Sequence, residues 1–76
     1  MNAYVLIRIR PGAVPEALNN MRRIKGIKGV NMTFGPYDAV AVVDAKNVSE
    51  LGELIATEIQ PIPGVLETIT CLVVDD

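Results

Sequence analysis

The side chains with chemical capacity in this 76-residue chain gather at two places. Asp38 follows Gly35-Pro36-Tyr37 and opens the apolar run Ala39 to Val43, so a carboxylate stands where a turn becomes a strand. Thr68 and Thr70 alternate along Val65 to Val74, a segment otherwise mostly aliphatic. A small zwitterion needs an acceptor for its ammonium group and N–H or O–H donors for its carboxylate. Asp38 offers the first; the amides between Gly35 and Asp38 and the two threonine hydroxyls offer the second. The same residues have local uses. An aspartate after Pro-Tyr caps its own turn, and threonine suits extended backbone. The spacing alone leaves both readings open.

Little else in the chain points to catalysis. There is no histidine, hence no side chain of the commonest general-base and metal-ligand type. The single Cys71 can form no internal disulfide and has no second Cys or His with which to hold a metal. Among Ile69, Leu72 and Val73 it is expected to be a buried, inert thiol. Gly26, Gly29 and Gly35 do not have the spacing of a phosphate-binding loop. We therefore expect no catalytic residues, no metal, no cofactor and no enzymatic activity. A formal charge of −2 argues against direct nucleic-acid binding, which needs a surplus of clustered Lys and Arg. The one basic cluster, Arg22, Arg23, Lys25 and Lys28, suits a helix end, where cations complement the macrodipole. No apolar run reaches the ~18 residues of a membrane span, and no basic-then-apolar leader opens the chain. A cytoplasmic location is expected.

The elements that must position these residues can be read from periodicity. In Ala3 to Ile9, Val5, Ile7 and Ile9 share one face and Tyr4, Leu6 and Arg8 the other. Pro11-Gly12 stops that strand. Val14, Ala17, Leu18, Met21 and Ile24 then form one apolar helical stripe, with Gly26 as its stop. Val30 to Phe34 and Ala39 to Val43 read as two strands joined across the Gly35–Asp38 turn. Asn47 and Glu50 have the spacing of a capping box ahead of a second helix, with Val48, Leu51, Leu54, Ile55 and Ile59 on its apolar side and Pro61 at its end. The loop Pro61-Ile62-Pro63-Gly64 presents an exposed isoleucine. The last strand, Val65 to Val74, places Val65, Ile69 and Cys71 on one face and Thr68 and Thr70 on the other. Asp75 and Asp76 are expected to end the chain without regular structure.

The order β-α-β-β-α-β predicts an α+β, ferredoxin-like fold: a four-stranded antiparallel sheet with two helices on one face. The run Ala39 to Val43 shows no polar alternation, as expected of a strand covered on both sides. Two helices cover only one side, and a single domain of this size buries only about 60–65% of the surface its unfolded chain exposes. A sheet-to-sheet dimer supplies the missing cover.

In order along the chain, Gly29-Val30, then Phe34-Gly35-Pro36-Tyr37-Asp38, then the aliphatic run Ala39 to Val43, then Gly64-Val65-Leu66-Glu67-Thr68-Ile69-Thr70 resemble the effector domain of the leucine-responsive/AsnC family of transcription regulators. The resemblance covers essentially the whole chain and implies the regulation of amino acid metabolism (RAM) domain. It implies dimers that pair through their sheets, rings of such dimers, and a free amino acid bound where dimers meet. By position, Gly35, Tyr37, Asp38, Thr68 and Thr70 would be its ligand-binding residues. Full-length members carry a helix-turn-helix domain ahead of this one, and the present sequence opens in the first strand. The resemblance thus implies residues 1–76 as a single ligand-sensing and oligomerisation domain. Its partners would be an amino acid, further copies of itself and full-length regulators of the family. The alternative function is a ligand-free interaction module that associates with those regulators.

Overall fold

The first strand sets the frame. In the computed structural model, which describes residues 1–75, β1 (Asn2–Ile9) turns Ala3, Val5, Ile7 and Ile9 into the interior, none more than 3% exposed. The expectation for Asp76 lies outside the described residues. β1 is hydrogen-bonded on both sides, to β3 (Ala39–Asp44) and to β4 (Val65–Leu72), and β2 (Ile27–Met32) completes the antiparallel order β2-β3-β1-β4. Two neighbours explain why β1 is so regularly apolar on its inner face. This is the expected ferredoxin-like βαββαβ arrangement, with β2 and β4 as edges.

The helices meet that inner face. α1 (Val14–Arg22) buries Ala17, Leu18 and Met21, while Val14 and Ile24 pack at its margins. Pro15 sits in the first turn, where a missing N–H is harmless. α2 (Val48–Leu54) is capped as its sequence suggests: Asn47 Oδ1 accepts from the Glu50 N–H at 2.8 Å. Glu50 reaches back to the Lys46 N–H at 3.3 Å, one residue beyond the usual capping-box partner. Leu51, Ile55 and Ile59 are buried, but Val48 is 59% exposed and does not belong to the apolar face.

Two further differences lie before and within β4. Ile62 is buried, not exposed: its N–H donates to the Ile59 carbonyl and its carbonyl accepts from the Val65 N–H, so two consecutive tight turns fold it under the core. In β4 the register runs Arg8↔Glu67 and then Ile9↔Val65, leaving Leu66 as the extra residue of a bulge. The bulge reverses the alternation and turns Val65 inward beside Ile9. Gly64 makes the preceding turn with φ +95°, and a Cβ there would stand 2.5 Å from the Cβ of Ala13.

The outer face of the sheet has no cover among the described residues. Tyr4 and Leu6 of β1, Val40 and Val42 of β3, and Ile69 and Cys71 of β4 lie in adjacent register there, joined as Tyr4↔Val42, Leu6↔Val40, Leu6↔Ile69 and Tyr4↔Cys71. Tyr4 is 48% and Ile69 37% exposed, and Cys71 is exposed where a buried thiol was expected. Both helices occupy the opposite face, so no described element of the protomer covers it.

Candidate functional site

Asp38 closes the loop between β2 and β3 with three hydrogen bonds. Its N–H donates to the Ile7 carbonyl at 2.9 Å, and its carbonyl accepts from the Thr33 N–H at 2.9 Å. Its carboxylate Oδ2 accepts from the Ile9 N–H at 2.7 Å. The β1–β3 pairing ends at Ile7↔Ala39, so the carboxylate supplies the acceptor that the next backbone carbonyl of β3 would have supplied. A short bond to an ionised acceptor is of the strong kind. Asp38 therefore caps β1, not its own turn. Its second oxygen, Oδ1, has no partner among the described residues.

The rest of the loop is a projecting tip. Thr33 Oγ1 donates to the Tyr37 carbonyl at 2.8 Å, which pins the base of the loop. Gly35 has φ +143°, a conformation open to glycine and strained for other residues. Phe34 is fully exposed and Tyr37 half-buried.

Thr68 and Thr70 stand on the far side of β1, in register with Ile7 and Val5. They share the face that the helices occupy, yet β4 is an edge that the helices do not fully cover: Thr68 is half-buried and Thr70 exposed. Gln60 Nε2 donates to Thr68 Oγ1 at 3.1 Å. Strand alternation assigns Asp38 to the outer face with Val40 and Val42, and β1 separates it from β4 by two strand spacings, about 10 Å. The protomer thus brings Gly35, Tyr37 and Asp38 together in one loop and Thr68 and Thr70 together on one edge. It does not join the two groups.

None of the five lines either of two surface concavities. The larger, of about 950 Å³, lies at the other end of the sheet between Asp44-Ala45-Lys46, Lys25–Lys28 and the helix residues Glu50 to Glu58. The smaller, of about 470 Å³, is a shallow hollow on the outer face bounded by Asn2, Tyr4, Val42, Val73 and Asp75. Among the described residues no group of three His, Cys, Asp or Glu side chains is placed to hold a metal ion. No helix is long and apolar enough to cross a membrane. Sequence reasoning missed Gln60 as a neighbour of the threonines; its only local signal is its place immediately before Pro61.

Comparison with known proteins places this geometry in context. The profile of the Lrp/AsnC ligand binding domain matches residues 2–76. The HTH-type transcriptional regulator FL11 of Pyrococcus abyssi is 36% identical over 73 residues, which cover 96% of this chain and 48% of the regulator. The chain spans about half the length of the curated relatives it matches. The crystal structure of TTHA0845 from Thermus thermophilus superposes with a TM-score of 0.93 at 33% identity, covering 99% of this chain and 94% of that one. The fold is shared by the transcriptional regulator NMB0573 of Neisseria meningitidis, solved as a complex with L-Met, at a TM-score of 0.91 and 13% identity over 99% of this chain and 50% of that one. With a profile match from Asn2 to the last residue and regulators as its relatives, the chain belongs to the Lrp/AsnC family, whose ligand-binding domain it spans.

Proposed function

We propose that the chain is an amino-acid-binding regulatory module of transcription, with its ligand held where protomers meet and binding coupled to assembly. The observation that carries this reading is the split placement of the five residues. A loop carboxylate and an edge pair of hydroxyls, in a domain of a ligand-binding family, enclose no cavity within one protomer, whereas a second protomer packed against the rim would close one. The uncovered face around Leu6, Val40 and Ile69 supports a homodimer, and rings of dimers would bring further loops and edges together. NMB0573 with its bound L-Met supports a free amino acid as the ligand class. On this reading residues 1–76 act as one ligand-sensing and oligomerisation domain.

A second reading has one specific observation in its favour: Asp38 Oδ2 is already engaged by Ile9, which suits a purely structural aspartate. The module would then work without ligand, by associating with full-length regulators of the family through the same outer face.

A thermal-shift panel of free amino acids at millimolar concentration, with sedimentation analysis at each hit, separates the two. A ligand that binds only the folded assembly adds RT ln(1 + [L]/Kd), about 2.7 kcal/mol at a hundredfold excess. We expect one chemical class to raise Tm and to shift the oligomer distribution, since a ligand held between protomers favours the assembled state by its differential affinity. A flat panel refutes sensing and leaves the interaction module.

A further inference from the structure

The end of α2 departs from α-helical geometry. Ile55–Ile59 continue it as a π turn, and the Gln60 N–H donates to the Ile55 carbonyl, five residues back, at 2.9 Å. Such turns are rare and recur at functional sites. Pro61 follows and cannot extend the helix, so Gln60 is the last residue the turn places. From the end of this turn the side chain of Gln60 reaches the edge strand, where Nε2 donates to Thr68 Oγ1 at 3.1 Å.

A threonine hydroxyl has one proton to donate and two lone pairs with which to accept. The Gln60 N–H occupies one lone pair and offers no acceptor in return. No described residue accepts from the Thr68 O–H. Its proton is therefore left to point away from Gln60, on an edge where the Thr70 hydroxyl, two residues along the same side of β4, is also exposed.

We infer that Gln60 is a positioning residue: it fixes the Thr68 hydroxyl as a donor, so that the Thr68–Thr70 edge selects an anionic group, the carboxylate of the ligand. This rests on the amino-acid-binding reading above, in which the threonines face the ligand carboxylate and Asp38 its ammonium, and adds to it the residue that holds the β4 hydroxyl in its donor role.

The test compares the amino acid found by the panel with its carboxamide, by calorimetry on the wild-type protein and on Gln60→Glu. A glutamate there accepts the Thr68 proton and adds negative charge. It should weaken binding of the free amino acid on the order of tenfold or more and that of the carboxamide clearly less, because a hydrogen bond to a carboxylate is stronger than one to a neutral carbonyl and the added charge repels only the carboxylate. A fold defect would weaken both ligands alike. If Gln60→Glu folds poorly, Gln60→Met, similar in length and without a donor, carries the same comparison. In ¹⁵N-labelled protein the Gln60 side-chain amide resonances should also move in Thr68→Val. Equal loss of both ligands, unchanged binding in Gln60→Glu, or an indifferent Gln60 amide overturns the inference and leaves amino-acid sensing intact. A wild-type protein that binds no amino acid overturns both.

Discussion

Replacing Asp38 by alanine tests the structural half of its role. The substitution removes the acceptor 2.7 Å from the Ile9 N–H, in a residue only 3% exposed, and leaves that donor unpaired at the end of the central strand. A hydrogen bond to a charged group contributes about 1.5–3 kcal/mol, and an orphaned buried donor costs a comparable amount. Because Asp38 is half-buried and water can reach part of the loop, we expect about 2 kcal/mol for Asp38→Ala. For a domain of this size each kcal/mol moves Tm by about 4–8 °C, so the drop should be about 8–16 °C. Asp38→Asn retains a neutral acceptor and should lose about half as much. Thermal denaturation at fixed protein concentration gives the magnitudes, and amide exchange gives the location: Ile9 should lose protection in Asp38→Ala and largely keep it in Asp38→Asn. A Tm for Asp38→Ala within about 3 °C of wild type, with Ile9 still protected, would refute the capping role.

Three other substitutions probe the scaffold. Val40→Asp puts a charge at the middle of the outer face, beside Leu6, and should turn an oligomer into monomers by light scattering while far-UV dichroism stays unchanged. Gly64→Ala forces a Cβ to within 2.5 Å of Ala13 at φ +95° and should cost about 3 kcal/mol in urea denaturation, from backbone strain plus the clash. Asn47→Ala removes the cap of α2 and should cost about 1 kcal/mol, most of which Asn47→Asp should restore.

What the sequence disclosed is what depends on short-range period. The alternation of Val5, Ile7 and Ile9, the stripe Ala17-Leu18-Met21 and the Asn47 cap are each decided within one or two turns of chain, and each stands as read. What stayed hidden depends on a contact or a break in period. Ile62 sits in a Pro-rich loop, where the default is exposure, and only the Ile59 and Val65 hydrogen bonds turn it inward. Val65 changes face because a bulge at Leu66 shifts the alternation by one residue, which composition does not announce. The π turn that brings Gln60 to Thr68 is equally silent. Asp38 was conspicuous as a lone acid ahead of an apolar strand, but its partner, Ile9, lies 29 residues away.

That partner bears on how a binding role for Asp38 should be judged. A carboxylate has two oxygens with about four acceptor positions between them. The bond from Ile9 occupies one position on Oδ2 and leaves Oδ1 without a partner among the described residues. A side chain already held by the backbone loses little rotamer freedom when a ligand arrives, which lowers the cost of binding. If Asp38 binds a ligand as proposed, the structural bond would hold the carboxylate ready for an ammonium group without competing with it. The two roles rest on different oxygens, and asparagine separates them: its amide has a single acceptor oxygen. An Asp38→Asn protein that keeps its bond to Ile9 has an amide N–H₂ donor in place of the second oxygen and no negative charge to meet an ammonium, so it should remain folded while binding any amino acid that the wild type binds much more weakly.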